Sequence, residues 1–159
     1  MDAVGLGLLV AATVTSGVLA GAFLLYAHTV MPALRQADDR AFVDTFRRLD
    51  RAIINPVFML TGFLGAPALT LAAALTTDGD VRRWTYAALA LHLLMVLITG
   101  AVNVPRNDAL KAAPPDADPT EVRTDFNELR WARWNLLRVL ISCSAAIALA
   151  WALVVAQPA

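Results

Sequence analysis

The sequence predicts an all-α protein, a four-transmembrane-helix bundle, and three observations carry that prediction. Hydrophobic residues make up 58% of the 159 residues, and charged residues only 16%. The charges are segregated, so that four long stretches carry none. Each stretch reaches the ~20 residues that cross a ~30 Å hydrocarbon layer as a helix. We therefore expect a single membrane domain over residues 1–159, with spans at about 4–30, 56–76, 83–103 and 134–156.

The first span follows Asp2, with no Lys or Arg before it. A secretory signal peptide has a basic start and a shorter apolar core, so the pattern favours a membrane span. Gly17 and Gly21 form a GxxxG pair, which is typical of close helix contacts in membranes and compatible with a homo-oligomer.

An amphipathic helix is expected between spans 1 and 2, over about residues 38–54. Phe42, Phe46, Leu49 and Ile53 recur at helical spacing, with charged residues between them. Such a helix lies along the membrane interface or covers the end of a bundle. The Asn-Pro pair at 55–56 ends it, because a residue before proline avoids the helical conformation.

The segment after span 3 is expected to be a polar loop over about 104–119, rich in proline. From Pro119 a helix is expected to run into span 4, as an extension outside the membrane, with Asp118 or Thr120 as its cap.

The basic residues predict the orientation. The segments 31–55 and 104–133 hold ten of the 13 Lys and Arg residues, and the opposite side holds only Arg82 and Arg83. Basic loops stay in the cytoplasm, so both termini are expected outside, in a plasma membrane by default. The formal net charge is zero, which gives no indication of nucleic-acid binding.

All four spans carry polar residues, and nearly all of these lie near the cytoplasmic ends; only His92 lies at mid-membrane depth. They lie on one helical face in each of spans 1, 3 and 4, and at the helix end in span 2. Span 1 carries His28, on the face of Gly17 and Gly21; span 2 carries Asn55; span 3 carries His92, Thr99, Asn103, Arg106 and Asn107; and span 4 carries Trp131, Trp134, Asn135, Arg138 and Ser142. Amides and charges in lipid cost several kcal/mol unless they are paired. We therefore expect them to turn inward, around a polar chamber at the cytoplasmic mouth.

Ordinary structural roles compete with this interpretation. Asn55 and Asn107 could cap helices, and tryptophans often lie at the membrane interface. Arg138 could reach the headgroups, and His92 could hydrogen-bond between helices.

Four motifs at these residues resemble the DUF1772 family, the anthrone oxygenase-like membrane proteins. They are "VMP" at 30–32, "NPVF" at 55–58, "NVPRN" at 103–107 and "WARWNLLR" at 131–138. The resemblance runs from about Gly17 to Ala152. Arg106 occupies a variable position where an apolar residue such as Leu is expected.

The resemblance implies an oxygenase that converts polyketide anthrones to anthraquinones with O2, without a metal or an organic cofactor. In this hypothesis His28 is the base, and Arg138, Asn103 and Asn135 stabilise the oxyanion. The aromatic substrate is bound by Trp131 and Trp134, together with Asn107, Asn55 and Arg106. His92 is the alternative base.

Two further hypotheses compete with the oxygenase. Haem could bind through His28 and His92, although the two lie at different depths. A non-enzymatic scaffold or binder of lipophilic molecules would use the polar stripes only to hold helices together. No metal site is predicted, because the spans contain no carboxylate and Cys143 is the single cysteine.

Overall fold

The computed structural model describes residues 1–156, which are helical almost throughout and contain no strand. The helices are α1 (Ala3–Arg35), α2 (Asp39–Ile53), α3 (Pro56–Thr76), α4 (Gly79–Ala112), α5 (Pro119–Phe126) and α6 (Glu128–Val155). This confirms the all-α class and the four-helix bundle.

Four helices form a ring in the order α1, α3, α4, α6, and each packs against the next. α1, α3, α4 and the segment Pro119–Val155 are each long and apolar enough to cross a membrane. Large apolar side chains such as Val14, Leu75, Leu97 and Leu140 lie exposed on the outside of the bundle. Because water would disfavour such a surface, the chain has the character of an integral membrane protein.

α2 and α5 lie across one end of the bundle, which we call the capped end. Phe42, Phe46, Leu110, Phe126 and Trp131 form its buried apolar cluster. The opposite end is packed mainly by alanines, together with Leu9 and Leu149, and small residues of this kind let membrane helices approach closely. The amphipathic helix predicted at 38–54 is confirmed as α2, and its apolar face covers the bundle.

Two predicted boundaries were wrong. The polar loop expected at 104–119 is limited to residues 113–118, because α4 continues to Ala112 with Pro105 inside it. The helix expected to run unbroken from Pro119 is interrupted at Asn127, which adopts the left-handed conformation (φ 54°) and caps α6 by accepting from Arg130 N at 3.1 Å. Asp118 caps α5, as one of the two predicted candidates.

Arg123 on α5 holds the capped end together. Its guanidinium donates to Asp39 Oδ1 and to Glu128 Oε2, both at 2.9 Å, and to the Ala37 carbonyl at 3.0 Å. It also lies over the ring of Phe42, 4.4 Å from the centroid. A planar fork of donors makes these contacts at once, whereas an ammonium group would not.

We expect Arg123→Lys to lower the free energy of unfolding by about 1–3 kcal/mol, because charge-assisted hydrogen bonds are lost while the charge remains. Thermal unfolding of the purified protein in detergent measures this. The matched control is Arg130→Lys on the exposed surface of α6. Equal melting temperatures for the two variants would contradict the role assigned to Arg123.

Three of the spanning helices contain one π-helical turn each, at Tyr26–Val30, Met59–Phe63 and Thr99–Asn103. Pro32 and Pro105 follow the first and third turns closely. Proline has no N–H and its ring clashes with the carbonyl four residues earlier, so a wider turn accommodates it within a continuous helix. Residues of all three turns line the cavity described below.

The turn in α3 depends on Gly65. A Cβ at this position would overlap the carbonyl oxygen of Leu60, which is main-chain and cannot rotate away. We expect Gly65→Ala to lower the free energy of unfolding by about 1–3 kcal/mol or more, as overpacking does. Gly100→Ala is the matched control, because Gly100 lies in the π-turn of α4 and has open space around it. Thermal unfolding in detergent should show a clear decrease for the first variant only, and equal stabilities would contradict it.

Candidate functional site

A cavity of about 210 Å³ lies where the capped end meets the four-helix bundle. Its walls come from α1, α2, α3, α4 and α6. The apolar lining includes Phe23, Phe46, Ile53, Ile54, Phe58, Met59, Phe63 and Val104; the polar lining includes Tyr26, Asp50, Thr99, Asn107, Asp108, Lys111, Asn135 and Arg138. Ile54 and Val104 are also exposed on the outer surface, so the cavity opens there, between the start of α3 and α4.

Arg138 is the deepest charge at the cavity, and 95% of its surface is buried. Its Nη2 donates to Asn135 Oδ1 at 2.8 Å and its Nη1 to Thr99 Oγ1 at 3.4 Å. The guanidinium lies 4.5 Å from the ring centroid of Phe23. Asn135 in turn donates to the Phe23 carbonyl of α1 at 3.1 Å. Three helices therefore hold the guanidinium in a fixed position beside the cavity.

A second polar network crosses the mouth of the cavity and centres on Asp50. Asn107 Nδ2 donates to Asp50 Oδ1 at 2.6 Å, and Lys111 Nζ pairs with Asp50 Oδ2, also at 2.6 Å. Lys111 also pairs with Asp108 at 3.0 Å. Trp131 Nε1 donates to Asn107 Oδ1 at 2.8 Å, which joins the network to α6. The carboxylate of Asp50 thus faces the cavity with fixed orientation and little exposure to water.

Several predicted site residues do meet at this cavity. Arg138 and Asn135 line it together, and Asn107 and Trp131 line it through the Asp50 network. The ring of Trp131 is 3% exposed and meets Phe46 edge-on, with 5.5 Å between the centroids. The indole is therefore mainly a wall of the cavity.

His28 lies outside the cavity, and its predicted position at the chamber edge was wrong. Its side chain is exposed and its Nδ1 contacts Thr29 Oγ1 at 2.7 Å. Gly17 and Gly21 are also exposed, so the predicted stripe is the outer face of α1. The inner face instead carries Ser16, Leu19, Phe23 and Tyr26. Self-association through the outer glycines stays a prediction.

Four other predicted site residues do not line the cavity. Asn103 is fully buried within the bundle, and neither polar atom of its side chain has a hydrogen-bond partner. Trp134 on α6 is half-buried. Arg106 donates to the Val102 carbonyl at 2.8 Å. Asn55 caps α3 by accepting from Phe58 N at 3.0 Å, which is the structural role that the sequence left open.

His92 connects three helices in the middle of the bundle. The Thr70 hydroxyl donates to the Ala66 carbonyl at 2.7 Å, so it accepts from Nδ1–H of His92 at 3.4 Å. Nε2 then accepts from the Ser16 hydroxyl at 3.1 Å. Both ring nitrogens are engaged by α1 and α3, which matches the interhelical role weighed above.

The two histidines do not fit a haem site. Haem needs a free imidazole lone pair facing a cavity, but that of His92 accepts from Ser16, and His28 lies on the outer face of α1. Within residues 1–156, no group of three or more His, Cys, Asp or Glu side chains is arranged to hold a metal ion.

Four polar lining residues were not predicted from the sequence: Tyr26, Asp50, Asp108 and Lys111. Asp50 is one helical turn beyond Phe46, on the apolar face of α2, so an isolated carboxylate on that face was a usable signal. Lys111 continues the stripe of Asn103 and Asn107, but only if α4 passes through Pro105. Nothing in the sequence distinguishes Tyr26 as a lining residue, because apolar side chains occur on every face of α1.

Comparison with known proteins decides the family. The family model described as anthrone oxygenase matches residues 45–148, from within α2 to the second half of α6. The chain belongs to the anthrone oxygenase family. No curated protein and no solved structure gave a match.

The region matched to the anthrone oxygenase family contains most of the cavity. It includes Asp50, Asn107, Lys111, Asn135 and Arg138, whereas the α1 residues Phe23 and Tyr26 precede it. The "NVPRN" and "WARWNLLR" motifs lie within it, and "VMP" lies before it. The family region therefore supplies both polar networks, and α1 completes the wall.

Proposed function

We propose that the protein is a membrane oxygenase that adds O2 to an anthrone-like or phenolic aromatic without a cofactor, in the cavity at the capped end. The observation that carries the proposal is that one largely apolar cavity is lined both by a buried carboxylate, Asp50, and by a buried guanidinium, Arg138. Family membership supports the reaction class. The basic residues of the capped end support a cytoplasmic position for it.

Asp50 takes the role of base that the sequence had suggested for His28 or His92. An anthrone carries an acidic methylene group opposite its carbonyl. Each oxygen of Asp50 makes one polar contact, which leaves further lone pairs for a proton from this methylene. Its ion-pair partner Lys111 stays neutralised by Asp108 while Asp50 is protonated.

Arg138 stabilises the negative charge that forms on the substrate oxygen. The anion is electron-rich and gives one electron to O2, and the resulting radical pair forms the C–O bond of a peroxide. Asp50 returns its proton to this peroxide. Loss of the second methylene proton then breaks the O–O bond and releases water, so that one anthrone and one O2 yield one anthraquinone and one H2O.

The apolar lining contributes by excluding water. Phe23, Phe58, Met59 and Phe63 line the cavity that also contains Asp50 and Arg138. A dry site strengthens the attraction between Arg138 and the substrate anion. It also protects the carbanion from simple reprotonation by water.

O2 consumption by the purified protein with a hydroxylated anthrone tests the proposal. We expect uptake faster than in protein-free micelles, with one O2 consumed per quinone formed, in the presence of a metal chelator. Uptake no faster than in protein-free micelles would contradict it. A visible spectrum of the same sample should show no haem band.

A further inference from the structure

No carboxylate in residues 1–156 lies within ion-pair distance of the guanidinium of Arg138, and Asp50, which lines the same cavity, is held instead by Asn107 and Lys111. Its contacts are the neutral oxygens of Asn135 and Thr99 and the rings of Phe23 and Trp131. Its Nε, although buried, has no hydrogen-bond partner. A buried charge without a counter-charge is costly, and proteins usually pair it.

The other cation of the cavity is already neutralised. Lys111 is paired with two carboxylates, at 2.6 Å from Asp50 and 3.0 Å from Asp108. A negatively charged ligand would therefore gain little binding free energy at the mouth of the cavity, where it would meet the carboxylates of Asp50 and Asp108. The same ligand would gain the most binding free energy beside Arg138, the most deeply buried charge at the cavity.

Building on the proposed function, we infer that the cavity selects a ligand that is already an anion before its methylene group reacts: an aromatic acid or a phenolate whose charged oxygen group faces Arg138. The missing counter-charge is supplied by the ligand. A carboxylate or aryloxide matches the donor geometry of a guanidinium.

The cavity also indicates the rest of the ligand. Phe23 lies against Arg138, and Phe58, Met59 and Phe63 line the same cavity, so fused rings suit it. Its volume of about 210 Å³ is below the ~300–1,000 Å³ of pockets that enclose drug-sized molecules. It thus excludes a two-chain lipid, and it suits a compact aromatic whose charged end enters first.

Binding of stable probes to the full-length protein in nanodiscs tests this without turnover. The probes are 2-naphthoate and 2-naphthamide, which share shape and differ in charge, and octanoate, a chain carboxylate that represents lipid-like anions. Calorimetry with empty nanodiscs as the reference measures each dissociation constant. We expect naphthoate to bind roughly ten-fold or more tightly than naphthamide, as charge-assisted hydrogen bonding predicts, and more tightly than octanoate.

Two variants assign the difference to one residue. Arg138→Met should remove the preference of naphthoate over naphthamide, whereas Arg133→Met, a change at an exposed arginine of the same helix, should retain it. Equal binding of naphthoate and naphthamide to the unmodified protein would overturn the inference, even if the variants fail to fold. Octanoate binding as tight as naphthoate binding would overturn the aromatic assignment.

These outcomes are separable from the proposed reaction. Selective naphthoate binding without anthrone-dependent O2 uptake would retain the anion site and reject the oxygenase. Anthrone-dependent uptake with no charge preference would reject the anion site and retain the oxygenase.

Discussion

Replacing Asp50 with Asn is expected to reduce anthrone-dependent O2 uptake by roughly 10²–10⁴-fold, the usual contribution of a general base. The amide has the same shape as the carboxylate but does not accept a proton at neutral pH. The variant therefore removes the proposed base while the cavity keeps its form.

The surrounding contacts explain why Asp50→Asn should leave the fold intact. Asn107 can still donate to the side-chain oxygen at position 50, and Lys111 keeps its pair with Asp108 at 3.0 Å. The ammonium group of Lys111 therefore keeps a counter-charge. We therefore expect thermal unfolding close to that of the unmodified protein.

The matched control is Asp44→Asn, the same change on the same helix at a side chain that is 52% exposed. It should retain full O2 uptake. An Asp50→Asn protein that is folded and fully active would rule out this base. Activity lost on replacement of His28 or His92, but not of Asp50, would return the role to a histidine.

Replacing Arg138 with Met is expected to reduce uptake by roughly 10²–10³-fold, the effect of losing one donor to a developing oxyanion. The same change should leave stability unaltered or raise it. This combination is unusual, because most changes at buried residues destabilise a protein.

The reason lies in the balance of buried groups. A buried ion without a counter-charge costs several kcal/mol, and methionine removes that cost while filling similar space. An opposing cost of about 1–3 kcal/mol arises because the amide oxygen of Asn135 loses its hydrogen-bond donor. The net effect on the free energy of unfolding is therefore zero or favourable to the variant. This is the pattern expected where a protein has given up stability to build a functional site.

Measuring O2 uptake and thermal unfolding on one sample separates the oxygenase from the scaffold hypothesis. If Arg138 only held helices together, Arg138→Met would lower the melting temperature and damage expression. A large loss of stability would therefore contradict a functional origin of the buried charge. Arg133→Met on the exposed face should change neither measurement.

Much of the fold could be predicted because hydrocarbon imposes it. A charge-free stretch of membrane length has few alternatives to a spanning helix, and the spacing of Phe42 and Phe46 predicts α2 directly. The end of α4 was harder to predict. Pro105 ordinarily ends a helix, but here a π-turn over Thr99–Asn103 accommodates it and carries Asn107 and Lys111 to the cavity.

The site was predictable where polar residues are rare. Asn135 and Arg138 stand out in an apolar helix, and the cost of exposing them to lipid points them inward. In α1 apolar side chains occur on every face and glycines lie on the outer face, so the sequence does not show which face turns inward. The sequence therefore suggested His28, although Tyr26 faces the cavity. Asp50 lies on the face that Phe42, Phe46, Leu49 and Ile53 define, and their spacing predicts the helix but no role for its carboxylate.

The measurement that tests the central claim most directly is oxidation of an anthrone under ¹⁸O2 by metal-depleted, spectroscopically colourless protein. The account predicts one labelled oxygen in each new quinone carbonyl and the second in water, at a rate well above that of protein-free micelles. A rate equal to that background, or activity that returns only when a metal or an organic cofactor is added, would contradict it.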